Sequence, residues 1–168
     1  FDMNGGDGEK PASKNVIYDN AYGILPTPTY TGYRFERWVD ANNYTISADT
    51  RVTIASDHTL TAKWAAETDI VYIVEHYLQN ITDDGYALQK SDTDTIYGET
   101  GTLTEAAARA YPGFTAQIFS QKTIAGDGST VVKIYYNRNI HTVKWNIDGT
   151  VQTDEYRYGQ TIIAPKAE

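Results

Sequence analysis

Three histidines, His58, His76 and His141, are the residues best able to carry acid–base chemistry or hold a metal near neutral pH. They fall in three different segments of the chain. A zinc site needs clustered ligands, which this spacing does not supply. Glu75 and His76 are adjacent, and on a strand adjacent side chains point to opposite faces, so they do not share a metal. Ser56-Asp57-His58 holds the residue types of a hydrolytic triad. A triad is defined by spatial roles, and no strained nucleophile turn surrounds Ser56, so the stretch reads as a loop entering a strand. Asp2, Asn4, Asp7 and Glu9 make an oxygen-rich loop. Its spacing departs from a calcium loop, because Asp7 stands where the sixth-position glycine is needed and no glutamate closes the twelfth.

The remaining polar motifs have structural readings. Asn43-Tyr44-Thr45 and Asn80-Ile81-Thr82 are formal glycosylation sequons. Gly126-Asp127-Gly128 reads as a hairpin turn, and Asp83-Asp84 as a solvated loop tip. No catalytic, cofactor-binding or metal-binding residue is assigned, and no cofactor is expected. The tyrosines are the better candidates for contact with a ligand, although the sequence does not say which of them would make it. Tyr72, Tyr77, Tyr135, Tyr136, Tyr156 and Tyr158 lie on expected strands, and about half the positions of a strand point outward. Those pointing inward would be core or cross-strand pairs. Those pointing outward could stack on the apolar face of a sugar ring.

Composition narrows the classes. The chain has 168 residues, no cysteine and a net charge of −8. Nucleic acid and anionic membrane both select for basic surfaces, so neither is expected as a partner. Thiol catalysis, Cys-ligated zinc and disulfide frameworks are excluded outright. The longest strongly apolar run, Ile70 to Val74, is far short of the roughly 20 residues of a spanning helix, so no membrane insertion is expected from these residues. The 14 tyrosines and 3 tryptophans against a single methionine favour pleated, half-buried surfaces.

A repeated layout positions these residues. Tyr22-Gly23, Tyr97-Gly98 and Tyr158-Gly159 each follow a strand, a turn and a second extended segment. In the third copy Val143, Trp145 and Ile147 alternate with polar residues, Asp148-Gly149 is a two-residue hairpin turn, and a strand returns over Thr150 to Tyr158. In the second, Ile70 to Leu78 is a strand, Asp84-Gly85 the turn, and Tyr86 to Ile96 the return. In the first, Asn4-Gly5-Gly6 precedes a polar loop and an extended Val16 to Tyr18. Copies one and two close on alternating strands, Leu60-Ala62-Trp64 and Val132-Ile134-Tyr136. Between the landmarks, Thr102 to Ala110 predicts a short helix: Thr102 and Glu105 form a capping box, the alanines favour helix, and Pro112-Gly113 ends it. Pro26 and Pro28 predict an extended connection in copy one. Modules are expected over 1–66, 69–139 and 140–168, joined by a few residues that leave limited freedom between them. The chain opens at Phe1 as if within a strand and stops at Glu168 within a module, so any export signal or anchor is expected outside it.

The first module resembles the Listeria–Bacteroides repeat, also called the internalin B-repeat. The resemblance rests on Phe1-Asp2-x-Asn4-Gly5-Gly6, Tyr22-Gly23-x-Leu25-Pro26-x-Pro28-Thr29, Thr31-Gly32-Tyr33-x-Phe35-x-x-Trp38 and His58-Thr59-Leu60-Thr61-Ala62-Lys63-Trp64. The second is similar to a mucin-binding-protein-type repeat through Val74-Glu75-His76-Tyr77, Gly113-Phe114 and Val132-Lys133-Ile134-Tyr135-Tyr136. Thr142 to Pro165 is similar to the first half of another B-type repeat. These resemblances imply a mainly β or α+β fold of tandem β-grasp-like modules, each a small sheet crossed by a short helix, with immunoglobulin-like sandwiches as the alternative. They also imply a bacterial, often Gram-positive, protein displayed at the cell surface or cell wall. The expectation is a non-enzymatic extracellular segment, adhesive or a spacer stalk, meeting host glycan, mucin or matrix protein; the mucin-binding label does not itself transfer a ligand. Two alternatives stand beside it: a dedicated glycan- or host-protein-binding module using exposed aromatics, and an accessory region of a surface hydrolase. An incomplete third module would expose strand edges and favour end-to-end self-association.

Overall fold

The computed structural model describes residues 1–165; residues 166–168, the end of the expected third module, lie outside them. The fold is mainly β. Its strands in chain order are β1 (Tyr33–Val39), β2 (Thr45–Ile46), β3 (Thr61–Ala66), β4 (Ile70–Gln79), β5 (Tyr86–Leu88), β6 (Asp94–Gly98), β7 (Phe114–Ala116), β8 (Val131–Arg138), β9 (Ile140–Ile147) and β10 (Thr150–Arg157). The chain divides into two compact units. Unit 1 is Phe1–Ile70 with Tyr97–Thr102 and Thr123–Ser129. Unit 2 is Val71–Ile96, Leu103–Lys122 and the residues from Thr130 on.

Unit 1 holds an antiparallel sheet in the order β2-β1-β3. The alternation of Leu60, Ala62 and Trp64 turns all three towards the core, where Tyr22, Trp38, Ile46 and Val52 meet them. Phe35 and Trp38 sit an odd number of positions apart, so a regular strand would place them on opposite faces. The register of β1 against β3 slips between Phe35 and Arg37, and this one-residue bulge lets both rings reach the core, 5.5 Å apart. The indole N–H groups are satisfied by main-chain carbonyls, Trp38 on Pro26 at 2.8 Å and Trp64 on Met3 at 2.9 Å. Pro26 and Pro28 lie in a connection without helix or strand. Val16 to Tyr18 does not extend into a strand. The chain turns there, Asn20 N–H bonding to the Ile17 carbonyl, and Val16 packs against the core instead.

The sheet of unit 2 runs β5-β4-β8-β7, and β6 also pairs with β4. The central pair, β4 and β8, is parallel, with Val74 beside Val132, His76 beside Ile134 and Leu78 beside Tyr136. Parallel neighbours require a crossover between them. One face of this pair, Tyr72, Val74, His76, Val132, Ile134 and Tyr136, is buried throughout. The expected return strand over Tyr86 to Ile96 is broken in two by a 3₁₀ turn at Lys90–Asp92.

The helix expected over Thr102 to Ala110 does not form, and the segment crosses the buried face with no helix or strand of its own. Its backbone groups are taken by partners a helix could not reach. Tyr72 hydroxyl accepts from Glu105 N–H at 3.0 Å, and Tyr136 hydroxyl from Arg109 N–H at 2.8 Å. The Gln121 side chain accepts from Ala106 N–H at 2.9 Å and donates to the Ala106 carbonyl at 2.8 Å, and Thr104 N–H bonds to the Lys122 carbonyl. Local helix preference among these residues is worth a few tenths of a kcal/mol each, whereas each satisfied buried hydrogen bond contributes about 1 kcal/mol, so the tertiary partners win. The small side chains that favoured helix serve close approach instead: Thr104 and Ala106 are buried. The short helix expected to cross the sheet is absent.

β9 and β10 form a two-stranded ribbon, paired from Ile147 with Thr150 to Ile140 with Arg157. Asp148 and Gly149 both have positive φ, 49° and 85°, as a type I′ turn demands.

Candidate functional site

The strand tyrosines separate by the pleat. Tyr72 and Tyr136 point inward and are 2% and 1% exposed. Tyr77 and Tyr135 point outward on neighbouring positions of β4 and β8, and their rings stack with centroids 5.0 Å apart. Tyr86 on β5 meets the Tyr135 ring edge-on at 5.1 Å. The three rings form one patch on the outer face of the unit 2 sheet. Tyr156 and Tyr158, on or just after β10, lie apart from it: Tyr156 donates to the Ile163 carbonyl, and Tyr158 packs near Phe114.

Polar groups rim the patch. Tyr77 hydroxyl donates to Glu75 at 2.8 Å, and Lys133 lies 3.9 Å from the same carboxylate and 5.6 Å from the Tyr77 ring centre. The bond to Glu75, with some burial, holds the Tyr77 phenol above its ordinary range. Tyr86 hydroxyl donates to Asn137 at 2.7 Å, and the Gln117 amide donates to both. The result is an aromatic floor with an ammonium, a carboxylate and two amides at its edge, a chemistry suited to a neutral or weakly charged sugar. Tyr86 had no prominence in the sequence. The hairpin register, which sets it opposite Gln79, is the signal that brings it onto this face.

A polar cluster lies on the inner side of the same sheet. His76 is fully buried, with Nδ1 2.7 Å from Tyr136 hydroxyl and Nε2 3.0 Å from Asp94. Tyr136 hydroxyl accepts from Arg109 N–H, so its own proton is free for Nδ1, leaving Nε2–H to donate to Asp94. One neutral tautomer satisfies every atom. Asp94 also takes the Arg109 guanidinium, and the bonds from Arg109 and His76 hold its carboxyl below the ordinary range. Tyr111 donates to Asp92 at 2.9 Å, and burial with that bond pushes its phenol far up. The cluster ties the crossover segment to the sheet and is closed to solvent at His76.

The other two histidines stay apart. His58 accepts or donates at Nε2 with Tyr22 hydroxyl at 2.6 Å and bonds the Ser56 carbonyl at Nδ1, so no carboxylate orients it and the triad letters form no triad. It lines a cavity of about 520 Å³ in unit 1, with Phe1, Lys14, Ile54 and Asp57 among the other walls. His141 lies on β9. Among the described residues no group of three or more His, Asp or Glu could hold a metal ion. In the oxygen-rich loop, Asp2 accepts from Asn4 N–H and Asp7 from Thr31 N–H. Asp83 likewise accepts from Gly85 N–H, and Asp127 from Ser129 N–H.

Residues 1–63 match the Listeria-Bacteroides repeat domain. That family is found in bacterial surface proteins. The matched stretch contains the buried residues of the unit 1 apolar cluster, from Tyr22 to Ala62, but not Trp64, which packs against them. No curated protein and no solved structure matches the chain. Among the described residues no helix is long and apolar enough to cross a membrane.

Proposed function

We propose that this chain is a non-enzymatic extracellular repeat segment of a bacterial surface protein, serving as an adhesive or spacer stalk. The observation that carries the reading is the match of residues 1–63 to a repeat family of surface proteins. The recurrence of one turn supports it: Asn4-Gly5, with φ of 46° and 94°, and Asp148-Gly149, with 49° and 85°, are the same device in two copies. Residues 69–139 are then a repeat of the mucin-binding-protein type, and the setting is the cell wall of a Gram-positive organism.

A specific observation favours the adhesive form. Tyr77, Tyr135 and Tyr86 make one outward patch with polar groups at its rim. A host glycan, free or on mucin or a matrix protein, is the partner whose chemistry fits, through ring stacking with hydrogen bonds from Lys133 and the amides. The test is titration of the chain against arrayed host glycans, mucins and matrix proteins. Saturable binding lost on Tyr135→Ala supports the adhesive form. Silence with every ligand leaves the spacer form, and binding indifferent to Tyr77, Tyr86 and Tyr135 overturns the assignment of the patch.

A further inference from the structure

Two bonds fix which way the main chain of β7 faces. Gln117 N–H donates to the Tyr135 carbonyl at 2.8 Å, and Asn139 N–H to the Gly113 carbonyl at 2.9 Å. In an antiparallel pair bonded and non-bonded positions alternate, so Gly113, Thr115 and Gln117 turn their main chains towards β8. Phe114 and Ala116 turn theirs the other way, to the outer edge of the sheet. Phe114 N–H is taken by the Tyr111 carbonyl at 3.1 Å. The Phe114 carbonyl, both main-chain groups of Ala116 and the N–H of Ile118, just past the strand, have no partner among the described residues. β7 lies in mid-chain, and the loops on both sides of it are described.

This edge is also bare of charge. Exposed edges are ordinarily guarded by charged side chains. Asp83 and Asp84 precede β5, and Asp40 and Asp49 flank β2. From Ala106 to Lys122 there is no Asp or Glu, in a chain that holds 22 of them. Ile118 is fully exposed. Phe114 is half-buried, with the Arg138 guanidinium 4.7 Å from its ring centre.

We propose that the outer edge of β7, prolonged to Ile118, pairs with the same edge of a second copy of this chain, antiparallel and centred on Ala116. The two Ala116 residues would exchange both main-chain bonds, and each Ile118 N–H would reach the Phe114 carbonyl of the other copy. The free donors and acceptors are thus self-complementary, as a two-fold contact requires. Charge selects the same occupant. A basic peptide finds no carboxylate at this edge, whereas two acidic copies meet where neither carries negative charge. Ile118 of each copy would cover Phe114 of the other. So short an edge buries less than the roughly 1,200 Å² of a stable complex, so the dimer is weak and forms where copies are crowded. Its two-fold axis stands perpendicular to the sheet, which puts both tyrosine patches on the same side. The pairing itself needs no glycan.

The probe is the full chain at rising concentration. Light scattering should show the mean mass climbing from one copy towards two. The climb should come earlier at higher salt, because screening relieves the repulsion between two chains of net charge −8. Amide exchange at Ala116 and Ile118 should slow as concentration rises. In a mixture of labelled and unlabelled chain, the α-proton of Thr115 should contact that of Gln117 in the other copy, the close non-bonded pair of this register. Ala116→Pro removes only an outward N–H, and Ile118→Asp alters a fully exposed side chain. Each should raise the dissociation constant at least tenfold and leave the amide spectrum of β4 and β8 unchanged; Ile118→Asp decides where Ala116→Pro disturbs the sheet. A chain that stays monomeric at every concentration would overturn the proposal. So would a dimer that salt weakens, one that survives Ile118→Asp, or one whose contacts between copies fall outside Phe114 to Ile118.

Discussion

Tyr136→Phe is the sharpest probe of how unit 2 holds its crossover. The substitution keeps the ring, which packs edge-on against Tyr111 at 4.9 Å, and removes one oxygen. That oxygen accepts from Arg109 N–H and donates to His76 Nδ1, and His76 is fully buried. Two polar groups lose their partner at once. An unsatisfied buried group costs about 1–3 kcal/mol, so the expected loss is about 2–4 kcal/mol, the lower end applying where water reaches Arg109. With a urea slope of about 1–3 kcal/mol per molar, the midpoint of unit 2 should fall by roughly 1–2 M. The assay is urea unfolding read by tyrosine and tryptophan fluorescence, with backbone NMR assigning each transition to its unit. Tyr135→Phe is the control, since it removes a hydroxyl from the outward ring of the same strand and should change stability by less than about 0.5 kcal/mol. If Tyr136→Phe matched that control, the cluster around His76 would not be bracing the fold.

Other outcomes follow from the same geometry. Gln121→Ala removes the bonds to Ala106 and Thr104 and should destabilise unit 2 by about 2–3 kcal/mol in the same urea assay. Asp94 has its carboxyl depressed by Arg109 and His76, so its contribution is present above the ordinary value of 3.8 and is lost as pH falls through the depressed one. Stability of the wild type minus that of Asp94→Asn should therefore shrink as pH falls below 3.8; a difference growing in that acid range would have the wrong sign. Gly113 has φ of 78°, and an added Cβ would lie 2.1 Å from the Tyr158 ring, so Gly113→Ala should speed amide exchange in β9 and β10. Gly149→Ala meets no atom but strains a φ of 85°, and should cost the ribbon about 1 kcal/mol, seen as weaker cross-strand contacts between Trp145 and Gln152.

The strands were legible wherever one face is buried and the other wet. Leu60-Ala62-Trp64 and Val132-Ile134-Tyr136 alternate in sequence because burial alternates along the pleat. Asp148-Gly149 was legible because few residues tolerate two consecutive positive φ values. The Thr102 to Ala110 segment misled because its signals are local. The partners that hold it, Tyr72, Gln121 and Tyr136, are distant in sequence, and no window of neighbours contains them. The bulge at Glu36 was hidden for a related reason: only the meeting of Phe35 and Trp38 in one core reveals it. For Tyr77 and Tyr135 the sequence supplied the candidates but not the faces, and Tyr86 joins them only through its hairpin register. Pairing of β4 with β8 in parallel register sets Tyr77 beside Tyr135, and that pairing spans a crossover that periodicity does not describe.

We propose that these residues hold or space a partner and do not transform it. Incubating the chain with host glycans, mucins and matrix proteins, then measuring the mass of each ligand over time, tests it most directly. The prediction is that every ligand, bound or unbound, is recovered with its mass unchanged. A ligand shortened or modified in proportion to the amount of protein and the time would contradict the claim.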